Sequence, residues 1–562
     1  MRLPKNSTVT LIIFAVLAVG CNEEKPSKNS TVDITQHNIS GSLVQNFTPA
    51  KKWLEAKQVY NKEAPIPPQC YTKTNQVNNP CYVCHQSYRD QPLRPNKLND
   101  GFQQGSYTFS DIGVSNSWRN LFVDRRPAIA NISDKEILDY INEDNYSPFI
   151  NKLKNSDWKG VIPEIKNLHL GAEAFDEYGL AKDGSGWVAF NYKPMPSTFW
   201  PTNGSTDDVM IRLPQAFMQI NGKYSRDAYY ANLALVEMAI ADTEETTTIA
   251  ISEKTIGADL NGNGDLEDQV QHIKRRSHYV ADASKNDLTT MLYPEGTSFL
   301  HTVRYVNVDE EGEISVSPRM KELRYMVKKK FLNLGALKGR YYLERKEKHF
   351  ENLPYYNEFG DEGVSNKHGW TLLGFIENEQ GELRQQNNEE QFACTGCHKS
   401  VGSIIDETFS FPRKVAGVNG WGYINLKEIT DVPNIGEDKG EILTYLGRVG
   451  GGDEFRQNKE MIKRWFNADG SVNTEKVLAQ QSVYDLITPS KRRALNMNKA
   501  YKTIVEEQGF IYGRDATLVE ADNVLSEVNE EQAPLHPEHI HSWDIRLDWS
   551  KGQQSSVMKI EN

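Results

Sequence analysis

Asn78-Asn79-Pro80-Cys81-Tyr82-Val83-Cys84-His85 is the stretch on which the reading of this chain turns. Its last five residues form a CxxCH pentapeptide. A second copy, Cys394-Thr395-Gly396-Cys397-His398, stands more than half the chain away. Two thiols three positions apart fall on one face of a helical turn, where each can add to one vinyl group of haem while the following histidine reaches the iron. A zinc site wants four ligands, and a dithiol redox pair has no need of histidine in the next place in both copies. The spacing therefore predicts two covalently held haem c groups. Cys81, Cys84, Cys394 and Cys397 are the attachment points, and His85 and His398 the proximal iron ligands.

The front of the chain sets the compartment. Residues 1–21, MRLPKNSTVTLIIFAVLAVGC, have basic Arg2 and Lys5, an apolar run and then small residues, the order of an export signal. Its end, Ala18-Val19-Gly20-Cys21, resembles the bacterial lipoprotein cleavage box, which implies lipid on Cys21 and a polar tether over 22–50. Asn22 in place of Asp resembles the sorting pattern for the outer membrane rather than the inner. No other stretch is apolar enough over about 20 residues to cross a bilayer, so the lipid is the expected membrane contact. A net charge of −12, with 25% charged and 10% aromatic residues, points to folded domains and argues against nucleic acid as a partner. The expected partner is a redox protein of the envelope. Of six cysteines, only Cys70 is left without a role by these motifs.

The two pentapeptides and the export signal together resemble the bacterial di-haem c-type cytochromes. The long middle region sets the chain apart from compact di-haem peroxidases and brings it nearer in size to di-haem oxygenases of the rubber-oxygenase type. Pattern along the chain gives the expected α+β fold, two mostly helical cytochrome-c-like haem regions separated by a β-rich insertion. The first haem domain covers 51–160, with Ser133 and Glu136 in capping-box spacing ahead of a helix. The insertion covers 161–316 and the helical second haem domain 317–515, with 516–562 as a C-terminal tail. Ser317, Pro318 and Gly335 are read as the start and stop of a helix over SPRMKELRYMVKKKFLNLG, whose Lys and Arg residues form a solvated face or a docking patch for an acidic partner.

The insertion carries GADLNGNGDLEDQV, in which Asp259, Asn261, Asn263, Asp265 and Asp268 resemble the front of a calcium loop. The usual terminal Glu is replaced by Val270. Distal iron or metal ligand candidates are Met195 between two prolines, Met461, and the C-terminal trio His536, His539 and His541. His169, His349 and His368 are lone histidines, and Trp370 and Trp421 are read as packing residues near the second motif. Three functions are open at this level. The first is an envelope-anchored di-haem cytochrome that passes electrons. The second is a di-haem oxidoreductase, peroxidase- or oxygenase-like, whose open iron takes a small-molecule oxidant or substrate. The third is a redox-accessory binding module of an envelope complex.

Overall fold

The strand Ile314–Lys328 is the spine of the molecule. It pairs antiparallel with Ser298–Val308 on one side and with Trp370–Glu377 on the other, so both of its backbone edges are satisfied. The computed structural model describes residues 66–72, 79–88, 97–109, 113–197, 199–350, 356–450, 458–522 and 524–552, all within one unit, Thr48–Asn562. The expected signal peptide, Cys21 and the tether lie outside the described residues.

Around the spine, an eight-stranded antiparallel sheet runs in the order Val188–Ala189, Thr206–Arg212, Ser298–Val308, Ile314–Lys328, Trp370–Glu377, Val364–Ser365, Asn357–Glu358, and Leu383–Gln385 adds to Trp370–Glu377. Side chains alternate between faces along each strand, so the register decides which residues share a face. Met210 lies opposite Leu300, Leu300 opposite Tyr325, and Tyr325 opposite Leu373. This row joins a buried cluster with Phe149, Ile150 and Leu153 from the helix Tyr146–Lys154. Fully burying side chains of this size contributes about 1.5–3 kcal/mol each.

On the other side sits the helix Arg226–Ala241, capped by Ser225 accepting from the Ala228 N–H. It is apolar nearly all round, and residues 228 to 240 are all buried, as a helix crossing the middle of a core must be. The C-terminal stretch also enters the core. Trp543 and Ile545 join the largest apolar cluster, so residues 524–552 do not form a solvated tail.

These observations correct the expected fold class. The chain does not form two helical cytochrome-like haem regions around a β-rich insertion. Eight of its strands, between Val188 and Gln385, form one antiparallel sheet that crosses the expected boundary at 316, with two separate two-stranded ribbons in the same span. The expected helix from Ser317 is instead part of the spine strand, and the helix begins later, at Leu334–His349, capped by Asn333. The physical reason lies in two-sided burial. A central strand covered on both faces loses strict polar–apolar alternation, and its Met, Leu and Tyr spacing then imitates a helical face.

Candidate functional site

Each pentapeptide folds as the end of a helical turn. Cys81–Cys84 is one short turn: the Cys81 N–H donates to Asn79 Oδ1 at 2.8 Å and the His85 N–H to the Cys81 carbonyl at 2.9 Å. The second copy closes the helix Asn388–Cys397. Its first turn is a capping box in which Asn387 and Glu390 satisfy each other's backbone N–H groups, both at 2.9 Å. In both copies the histidine is the residue that ends the turn.

The tertiary structure brings the two motifs together. The Ser403 N–H donates to the Cys84 carbonyl at 3.0 Å, and the Tyr88 hydroxyl to the Gly402 carbonyl at 2.6 Å. The loop after the second motif is thus laid against the first. Gly402 permits the approach, since a Cβ there would stand 1.9 Å from Asp100 Oδ1. Cys81, Cys84, His85, Cys394, Cys397 and His398 all line one cavity of about 510 Å³, together with Cys70 and Met195.

The two histidines are held through the same ring atom by different partners. His85 Nδ1 lies 2.9 Å from Asp100 Oδ2, and His398 Nδ1 lies 2.7 Å from the Glu407 carbonyl oxygen. Burial opposes charge on both rings. At His85 the Asp100 carboxylate overrides it and raises the pKa to about 10, whereas burial dominates at His398 and lowers it to about 4. Tethering Nδ1 fixes both rings; His398, held neutral, has Nε2 free to bind, whereas His85, held charged beside Asp100, must first give up a proton there. Burial also raises the Cys81 and Cys394 thiols, and takes Cys397 up to about 12. Reactive dithiols need the opposite shift, so these pairs are not built for rapid disulfide exchange.

One face of the sheet forms the far wall. Val209 lies opposite His301 and His301 opposite Arg324, while in the next row Asp207 lies opposite Val303 and Val303 opposite Glu322. His301 Nε2 is 3.2 Å from Asp207 Oδ2. Arg324 holds Glu322 by two bonds of 3.0 Å, and Arg514 adds a third at 2.8 Å. Burial would raise the Glu322 carboxyl, but the Arg324 and Arg514 guanidiniums hold it at about 2. Asp100, Asp207, His301, Glu322 and Arg324 escape motif reading. The period-two spacing of 299, 301 and 303, and of 322, 324 and 326, is the signal that would have found the wall, once 314–328 is read as a strand.

The remaining candidates scatter. Met461 is buried in the main apolar core, as are Trp370 and Trp421. His349 is exposed and His539 half-buried. His536 points to the surface beside Glu538, 3.9 Å away. His541 packs edge-on against Tyr82, with ring centroids 5.5 Å apart, and so supports the first motif from outside the cavity. His169 lies 3.3 Å from Asp144. His368 is buried, with Nε2 3.7 Å from Glu344.

The expected calcium loop is wired internally. Asp259 accepts from the Gly262 and Gly264 N–H groups at 2.7 and 2.9 Å, Asp268 pairs with Lys254 at 2.8 Å, and the Asn261 and Asn263 amides both donate to Glu267. Asp265 is exposed. The oxygens close a turn and do not converge on a point. The expected cofactor set, two haem c groups and a calcium ion, is corrected accordingly. Among the described residues no group of three or more His, Cys, Asp or Glu side chains could hold a metal ion, and the four motif cysteines are free thiols. Both motifs also open on one cavity where two separate haem regions were expected.

A family model described as ":-like lipoprotein" matches residues 54–485. An uncharacterized lipoprotein of Aquifex aeolicus (strain VF5) is 30% identical over 534 residues, covering 83% of this chain and 88% of that protein. The chain belongs to this lipoprotein family. Membership places it among proteins held to a membrane by lipid. No solved structure matches the chain.

Proposed function

We propose that this lipoprotein is an electron-transfer protein of the cell envelope, working through a redox-active group seated in the cavity between its two cysteine–histidine motifs. The observation that carries the reading is the meeting of both motifs on one cavity of about 510 Å³, each with its histidine ring tethered through Nδ1. Two thiols and an imidazole from each motif line the space that such a group would fill. The raised thiol pKa values make simple dithiol exchange a poor alternative. Asn22 after Cys21 supports an outer-membrane address, which separation of inner and outer membranes by density would test.

A second reading, that a small oxidant or substrate is turned over, is favoured by the wall. A cavity of this size matches small-molecule sites. The His301–Asp207 pair on the wall offers polar groups that would orient a bound small molecule.

The test is the visible spectrum and intact mass of the full-length protein exported from its native envelope. A spectrum that changes between oxidised and dithionite-reduced protein is expected, with a native mass above polypeptide plus lipid and with the motif cysteines, which are free thiols, open to alkylation once the protein is unfolded. Colourless protein in both states, with no added native mass, would sink the electron-transfer reading. Consumption of added peroxide by protein with the expected spectrum would favour the second reading over the first.

A further inference from the structure

We infer that the helix Leu334–His349 is the docking surface for an acidic partner protein at the lip of the cavity. The surface itself carries the binding, and only the purpose of that binding rests on the electron-transfer reading above.

The helix is attached by a narrow apolar edge. Leu337 and Tyr341 are buried with Leu292 and Leu332, and the rest faces outward or toward the cavity. Its outward surface is cationic in an acidic chain. Lys338, Arg340, Arg345, Lys346 and Lys348 stand against Glu344 and Glu347, while the whole protein carries −12. Among the described residues none of these five cations has a carboxylate within ion-pair distance. Glu344 is engaged by Lys399 at 3.5 Å and lies 3.7 Å from His368 Nε2. Neighbouring cations add to the patch. Burial and then the Arg340 and Lys399 charges lower the pKa of Lys367, so these groups stand close enough to repel one another. A negatively charged partner relieves that repulsion, and the field of the five helix cations speeds its arrival.

Three further features favour a protein over other anions. A helix of this length runs about 24 Å, the scale of a protein interface and far beyond the reach of a single small anion. Tyr342 and Phe350 are 65% and 61% exposed among the cations, which supplies the aromatic-plus-arginine composition of interface anchors. The apolar edge that a membrane-lying helix would insert, Leu337 and Tyr341, is turned into the protein. Position gives the docking its consequence. Tyr341, Glu344, Arg345 and Lys348 line the cavity, so a partner on this helix covers the opening that leads to both motifs.

The experiment uses the full-length protein and the triple variant K338E/R340E/K346E, whose substituted side chains are exposed and outside the cavity wall. Binding of a purified acidic flavodoxin and of a basic cytochrome c is measured by calorimetry at about 20 mM and about 300 mM salt. Flavodoxin should bind the native protein at low salt, with affinity falling at least tenfold at high salt and tenfold in the variant, and the basic cytochrome should not compete. Equal flavodoxin affinity for native protein and variant, or no binding at all, overturns the inference. So does variant-sensitive uptake by phosphatidylglycerol vesicles without flavodoxin binding, which would assign the surface to lipid. A small neutral mediator separates the two readings. If it exchanges no electrons with a protein that still binds flavodoxin in this way, the electron-transfer reading fails and the docking surface stands.

Discussion

At the scale of single residues, the two motifs are chemically alike and electrostatically different. A carboxylate faces one histidine and a backbone carbonyl the other, and nothing within either pentapeptide foretells this, because Asp100 and Glu407 reach the rings through the fold. Glu322 makes the charge logic of the wall measurable. Its folded pKa of about 2 lies below the usual 4.5, so its ion pairs stabilise the protein above about pH 4.5 and that contribution is lost as pH falls through about 2. Glu322→Gln should cost about 3 kcal/mol in urea unfolding at neutral pH, and the gap from native protein should close as the medium is acidified. A gap of the same size at both ends of that range would contradict the pairing. Gly402 makes a steric prediction. Gly402→Ala puts a methyl group into Asp100 and should lower stability by about 1–3 kcal/mol. Alkylation of Cys84, whose carbonyl accepts from the neighbouring Ser403, should become faster as the loop lifts away.

At the scale of elements, legibility followed burial. The helix Asp134–Ile141, with Ser133 as its cap, and the helix Arg226–Ala241 are readable because cap, length and composition agree. The spine strand is not, since Met320, Leu323 and Met326 suggest a helical stripe while the pairing that makes them a strand comes from residues far along the chain. Leu323 is fully buried, and Leu323→Ala should cost about 2–5 kcal/mol. A loss near zero would mean the segment is not a central strand. The helix that presents the second motif depends on its capping box. Asn387→Ala should remove about 1 kcal/mol and speed hydrogen exchange at the Glu390 amide, the group that Asn387 accepts from.

At the scale of the whole molecule, the motifs belong to one folding unit. The sheet that walls the cavity crosses residue 316, so a chain divided there severs the strand that pairs with both neighbours. Residues 1–316 and 317–562 expressed apart should each lack cooperative thermal unfolding by circular dichroism. Two separately folded halves would restore the picture of two independent regions.

The sequence by itself determined the chemistry on offer, two thiol–thiol–imidazole sets, together with the helices whose caps and faces are local. Its front end resembled a lipoprotein signal, and the family match bears out the lipoprotein part of that reading. Only the tertiary structure decided that the two sets share a cavity and which groups stand behind each histidine. It alone made a β-sheet, and not a pair of helical domains, the frame that holds them. Strand pairing and register are set by partners distant along the chain, and the interactions that fix them have no local pattern to read.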